Sequence, residues 1–460
     1  MVFSSMVFLF YFLPLVLLVY YIAPAKAKNP ILFVAGLVFY AWGEPGYVLL
    51  LLFSAVFNYA SGLFIEKTDR KRAAIVINAA VNIGILVYFK YTGFLIGTAG
   101  NMFGFSAPSL NIALPIGISF YTFKALSYTI DVYRGNVRAE RGFIEFGLYL
   151  AMFQQLTAGP IERYVNVRKQ LHRRRVSGRM FLNGAARFCA GMCKKVLISD
   201  TIGIVWTTVS GSELSGLSAA MAWLGIAAYT FQIYFDFSGY SDMAIGLGSM
   251  FGFKTLENFK YPYISRSITE FWRRWHISLG TWFREYVYIP LGGNRVGRWR
   301  WYINILIVWM LTGLWHGASW NFVLWGLFYA ALLVIEKMFL LDRLKKIGGF
   351  ACIYTMFFVM IGWVLFSVED VSGVWSYLCA MFNFGHLGFG ESEFLYTFIS
   401  YFWLFVAAAV IGSGMPKRIY DRLIPKRFVW IKYIAAALGL VLCTAYMADG
   451  TFNSFLYFKF

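Results

Sequence analysis

His316 stands in LWHGASWN (314–321), with the apolar run 303–314 before it and 322–335 after it. An ionisable ring amid so much hydrocarbon is costly, and polar groups within a membrane commonly mark a substrate path or a reaction centre. Imidazole has an unperturbed pKa of ~6.5, and burial disfavours its charged form, which leaves a neutral base able to take a proton from an alcohol. A base so placed contributes roughly 10²–10⁴ in rate. A second ring, His276, belongs to SITEFWRRWHISLGTWFREYVYIPLGGNR (267–295). Trp272, Trp275 and Trp282 recur there at helical spacing and His276 shares a turn with Arg273, so a helix would bring these polar groups to one wall. The same residues also read as an interfacial helix with an aromatic belt and snorkelling arginines. His172, in LHRRR, reads as part of a solvated basic loop, and His386, in FGHLGFG, as a surface-loop residue. No carboxylate or thiolate accompanies His316 in sequence, so a metal centre is not expected.

A base that activates an alcohol needs an electrophile, and a thioester suits it. Coenzyme A thioesters are cytosolic and carry several phosphate charges, which arginine grips with forked hydrogen bonds. Arginines crowd 163–179 and 266–300, Arg273 and Arg274 among them. If 300–316 is helical, its 16 residues raise His316 roughly 24 Å above Arg300. The expected arrangement has cations on the cytosolic side and a base nearer the other face. Asp236 and Tyr240, with Asp242, interrupt an apolar run in YFDFSGYSD (234–242). They can orient a histidine or line a passage, or they can cap a helix break at Gly239. Trp275, Trp315 and Asn321 flank the two histidine motifs and join Arg273, Arg274, Asp236 and Tyr240 as candidate substrate contacts.

The elements that must position these residues are membrane helices. Of 460 residues, 60% are hydrophobic and only 14% charged, and mean hydropathy is +0.63. Several runs approach the ~20 apolar residues that cross a ~30 Å hydrocarbon layer. None alternates at period two, so the expectation is an all-α polytopic membrane protein in one domain, 1–460, rather than a barrel. The net charge of +19 resides in short loops between apolar runs. Positive-inside topology and anionic lipid account for it, which argues against a nucleic-acid partner. Five scattered cysteines suggest neither a disulfide framework nor a zinc site. The first run, 6–23, has no basic residue before it and Lys26 and Lys28 after it, the pattern of a retained helix whose N-terminus lies outside.

With basic loops placed in the cytosol, crossings are expected at 6–23, 31–42, 47–65, 73–96 and 114–130, then at 196–209, 217–253, 303–315, 320–335, 352–366, 394–411 and 428–447. These twelve crossings, the middle of a range of about 11 to 13, put both termini outside. The run 143–156 is short and basic on both flanks. It reads as a re-entrant or interfacial segment, tolerated only where its backbone is buried in protein or lines a wet cavity, and broken by Thr157, Ala158, Gly159 and Pro160. An Arg- and Trp-rich amphipathic cytosolic stretch is expected over 254–300.

Taken together, the motifs form a family pattern. The chain resembles the membrane-bound O-acyltransferase family, and within it the branch of alginate O-acetyltransferase membrane subunits and related polysaccharide acetyltransferases. The resemblance rests on VFSSMVFLFYFLP near the start, LPIGISFYTFKALSYTIDVYRG (114–135), QQLTAGPIERY (154–164), YFDFSGYSDMAIGLGSMFGF (234–253), the His276 motif, LTGLWHGASWNFVLWG (311–326) and the closing FLYFKF. It implies that His316 is the catalytic histidine and His276 the second polar position of the active site, an asparagine in many eukaryotic members. It further implies many helices around a funnel or tunnel, with acetyl-CoA as donor and no permanently bound cofactor. In this branch the acetyl group passes to a sugar hydroxyl directly or through an extracytoplasmic partner of the serine-hydrolase type, alongside exopolysaccharide synthesis machinery. A bacterial cytoplasmic membrane follows. A sibling branch that moves D-alanine from a carrier-protein thioester onto teichoic acid shares the two histidine elements. A transporter of polysaccharide or lipid-linked sugar, with His316 as proton relay, is the reading from another class.

Overall fold

In hydrocarbon each backbone N–H and C=O must find its partner within the chain, and a helix supplies all of them from its own segment. The apolar runs accordingly fold as helices, and no strand occurs among the described residues. The structure is a computed structural model that describes all residues except 107, 109, 111, 214, 215, 424, 450–455 and 457–460. The FLYFKF motif therefore lies outside the described residues apart from Leu456. Among the described residues, five helical stretches are long and apolar enough to cross a membrane: Val48–Lys67, Lys71–Phe103, Trp320–Ser367, Ser392–Gly412 and Trp430–Ala448. Phe8–Ile22 and Val371–Met381 are shorter apolar helices.

The chain forms two compact units, residues 1–188 with 240–256, and residues 189–239 with 257–460. In the first, polar residues on three apolar helices find one another. Asn58 Oδ1 accepts from Asn78 Nδ2 at 3.0 Å and Asn82 Nδ2 at 2.9 Å, and Thr129 Oγ1 donates to Asn78 Oδ1 at 2.9 Å. Such bonds hold Val48–Lys67, Lys71–Phe103 and Ile118–Tyr133 together where apolar contact discriminates poorly between helices and lipid. The short segment is interrupted within the run 143–156 and is buried in protein. Phe143–Ala151 ends at Met152, Phe153–Leu156 follows, and every residue from 146 to 162 is buried.

The second unit carries both candidate histidines. Arg298–His316 is one unbroken helix, as the spacing from Arg300 requires, and it packs against Trp320–Ile335. Trp320–Ile335 and Ala351–Ser367 also pack together, so the chain folds back between them, where Lys345 and Lys346 lie at the end of the short helix Leu341–Ile347 and Gly348 after it has φ 67°. Glycine makes the first of these pairings possible. A Cβ on Gly326 would fall 2.4 Å from the Trp309 carbonyl oxygen, and one on Gly313 would fall 2.2 Å from that of Phe322. Gly326→Ala should therefore destabilise the protein by about 1–3 kcal/mol through overpacking. Thermal unfolding in detergent measures this, and an unchanged midpoint contradicts the close approach.

Two sequence expectations give way. Ala219–Met250 is continuous through 234–242, so Gly239 marks no break. Its missing Cβ instead admits a neighbouring helix, since a Cβ there would lie 2.7 Å from the Gly191 carbonyl oxygen. Nor is 267–295 one interfacial helix. It contains Ile268–Arg274 and Ile277–Phe283 separated at Trp275 and His276, with irregular chain on the N-terminal side.

Candidate active site

The segment that carries His276 is fixed at each end by hydrogen bonds from other parts of the chain. Ser267 caps Ile268–Arg274, its Oγ accepting from Glu270 N at 3.0 Å. The buried Glu336 carboxylate accepts from Ile268 N at 2.5 Å and Thr269 N at 2.8 Å, a favourable place for negative charge at a helix start. The helix then stops. Trp275 is extended, and His276 adopts φ 44°, ψ 53°, one of two non-glycine residues at positive φ among those described. Asn258 holds this corner. Its carbonyl accepts from Ile277 N at 3.0 Å, and its Oδ1 accepts from Ser278 N at 3.2 Å and Ser278 Oγ at 2.9 Å, with His276 Nδ1 at 3.3 Å.

His316 is the last residue of its helix, and Gly317 turns away from it with extended backbone. The ring stands edge-on to Trp315, Trp325 and Phe366 at centroid distances of 5.0, 5.2 and 5.2 Å. Trp315 is also 5.7 Å from the His276 ring, so one indole borders both imidazoles. Phe237 closes the other side of His276 at 4.7 Å. Both histidines are buried, and burial pushes the His276 imidazole down to about 3, which keeps it neutral.

A cavity of about 910 Å³ has both histidines in its wall. Trp272, Trp275 and Trp309 supply aromatic surface, while Arg273, Arg284, Arg298 and Lys337 line it with side chains that remain exposed. Buried imidazoles and exposed cations thus share one space. A substrate with a polyanionic end and a small reactive end matches that distribution, because the anion can stay hydrated beside arginine while the reacting atoms leave water.

The sequence candidates separate in space. Arg273 and Trp275 line the cavity, and Trp315 lies against both rings. Arg274 is absent from the lining and bonds to Glu270 Oε1 at 2.6 Å and the Lys260 carbonyl at 3.2 Å. Asn321 ties the start of its helix to the Leu365 and Val368 carbonyls. Asp236 pairs with Lys195 Nζ at 2.9 Å, and its Oδ2 accepts from Leu456 N at 2.9 Å. Tyr240, in the first unit, is hydrogen-bonded to Thr157. His172, read as solvated, has Nε2 2.9 Å from the buried Glu140 carboxylate. Burial raises the affinity of that carboxyl for a proton, but bonds from Tyr164, the Gly142 N–H and His172 outweigh it and hold Glu140 below its ordinary value.

Asn258 and Lys337 escaped the sequence reading. Asn258 is an isolated amide in irregular chain 18 residues before His276, a separation that carries no periodic signal. Lys337 lies just past the end of an apolar helix, where a cation reads as a topology marker.

A family model described as MBOAT, membrane-bound O-acyltransferase family, matches residues 137–369, which include both histidines and the cavity they share. A probable alginate O-acetylase AlgI from Azotobacter vinelandii is 44% identical over 394 residues, covering 84% of this chain and 79% of that protein. A peptidoglycan O-acetyltransferase from Helicobacter pylori is 32% identical over 517 aligned positions, covering 100% and 98%. A teichoic acid D-alanyltransferase from Bacillus subtilis is 26% identical over 284 residues, 56% of this chain and 70% of the relative. The match spans half the chain and the identities extend beyond it at both ends, so this multi-pass membrane protein belongs to the membrane-bound O-acyltransferase family and is an O-acyltransferase.

Proposed function

We propose that the protein takes an acetyl group from acetyl-CoA and delivers it toward hydroxyl groups of an extracytoplasmic polysaccharide, directly or through a serine-hydrolase-type partner outside the bacterial cytoplasmic membrane. The observation that carries the proposal is the joint presence of His316, His276 and four exposed cations on one 910 Å³ cavity. Arg273, Arg284, Arg298 and Lys337 hold the donor phosphates, and the thioester reaches inward to His316. His316 removes the proton as the acceptor hydroxyl attacks the thioester carbon. The tetrahedral intermediate collapses, the carbon–sulfur bond breaks, and the proton passes from His316 to the departing thiolate. Orientation of donor, acceptor and base in one cavity supplies much of the rate. Both termini lie outside, and the cationic end of the cavity faces the cytosol.

Purified protein in vesicles, given radiolabelled acetyl-CoA, tests this reading. Donor-dependent transfer of label, or thioester hydrolysis without acceptor, is the expected result, while sugar movement without a donor indicates transport. Combining Arg273→Ala with Arg284→Ala should raise the KM for acetyl-CoA about 10-fold or more, since each lost charge-assisted bond is worth about 1.5–3 kcal/mol before solvent screening reduces it. Arg274→Ala, outside the cavity, should leave that KM within about 2-fold of wild type. Equal effects on KM from the two sets move the phosphate site elsewhere.

A further inference from the structure

The bond from the Ser278 backbone to Asn258 Oδ1 fixes which way the amide faces. A backbone N–H can only donate, so the atom 3.2 Å from Ser278 N is the amide oxygen, and Ser278 Oγ, 2.9 Å away, donates to the same atom. An amide oxygen only accepts. The His276 nitrogen facing it, Nδ1 at 3.3 Å, must then carry its hydrogen.

We infer that Asn258 is a positioning residue that locks His276 in the Nδ1–H tautomer, so that Nε2 serves the reaction as an acceptor of a hydrogen bond or proton and not as a donor to the developing oxyanion. The kinetic part of this inference rests on the acyl-transfer reading; the tautomer does not. Several features support it together. Asn258 is fully buried, so its oxygen cannot exchange these donors for water. The left-handed backbone at His276 fixes the direction in which the ring leaves the chain. His276 lines the cavity that also holds His316, so its acceptor edge belongs to the space where a sugar hydroxyl must be oriented for attack. Burial that keeps the ring neutral preserves the distinction between its two nitrogens, which protonation would erase. The oxyanion must then be met by other donors.

The charged and titratable groups that share the cavity with His276 are Arg273, Arg284, Arg298, Lys337, Tyr288 and His316. Phe237 and Trp315, which border the ring itself, are uncharged. Asn258→Asp is therefore the informative variant. It keeps an acceptor for the Nδ1 hydrogen and for Ser278, and adds a negative charge that favours the imidazolium.

Two measurements decide the matter. Nitrogen-15 NMR of the wild-type protein labelled at histidine, with the His276 signals assigned by their loss in His276→Asn, should show Nδ1 protonated and Nε2 not. A protonated Nε2 in the neutral ring overturns the inference whether or not the protein transfers acetyl groups. In the acetyl-CoA assay, Asn258→Ala should lower kcat about 10-fold or more with the donor KM changed less than about 3-fold. Asn258→Asp should recover part of kcat and should raise, in the same nitrogen-15 signals, the pH at which the His276 ring takes up its second proton by at least one unit. An unmoved protonation pH in folded Asn258→Asp removes the positioning role. Absence of acetyl transfer by wild type sinks the acyl-transfer reading and leaves the NMR result to judge the tautomer.

Discussion

His316→Ala should abolish acetyl transfer while the protein continues to insert and fold. The expected loss is on the order of 10²–10⁴ in kcat, the contribution of a positioned base, with the donor KM nearly unchanged because the proposed phosphate contacts belong to other cavity residues, Arg273, Arg284, Arg298 and Lys337. The structure explains why the fold should survive. His316 is the last residue of Arg298–His316, so its loss interrupts no backbone ladder, and the Gly313–Gly326 approach that seats this helix involves neither ring nitrogen. The vacancy forms among Trp315, Trp325 and Phe366 and should cost about 1–3 kcal/mol. His316→Asn controls for that vacancy by restoring volume and polarity without a base, and its activity should fall as far as that of the alanine variant. Turnover within 10-fold of wild type in either variant, with donor still required, would remove His316 as general base.

What the sequence shows of this arrangement follows the range of the forces involved. Runs of apolar residues report the membrane helices because each helix satisfies its own backbone, so Arg298–His316 and the fold-back between Trp320–Ile335 and Ala351–Ser367 are readable from hydropathy and Lys345 and Lys346 alone. The short 143–156 segment betrays itself by being too brief to cross between two basic flanks. The corner at His276 is different. Trp272, Trp275 and Trp282 keep helical spacing through it, and local propensity argues for one helix. The bonds that hold the corner come from Asn258, and Glu336 anchors the start of the preceding helix, both at distances in sequence where no periodicity can show them. Gly239 misleads for a related reason: a glycine that admits another backbone reads the same as one that breaks a helix. Within the site, side-chain type identifies His276, His316 and Arg273, but only packing shows that neighbouring Arg273 and Arg274 diverge, the first to the cavity and the second to Glu270.

The second large effect is expected at His276, where three substitutions separate chemistry from backbone conformation. At φ 44° a residue with a Cβ incurs roughly 1–2 kcal/mol, an expense that glycine avoids and asparagine tolerates better than most. His276→Ala combines that strain with loss of the bond to Asn258, so it should be the least stable of the three and lose on the order of 10² in kcat. His276→Gly relieves the strain and should restore the melting temperature toward wild type, yet its kcat should remain as low as that of the alanine variant. His276→Asn suits the left-handed corner, keeps a donor for Asn258 Oδ1 and keeps an acceptor, and should retain the most activity of the set. That ordering, glycine and asparagine both folded but only asparagine active, is the signature of a side chain that acts on substrate. If His276→Gly instead turns over like wild type, the ring serves only to fill the space between Phe237 and Trp315, and the acceptor hydroxyl must be oriented by another group in the wall shared with His316.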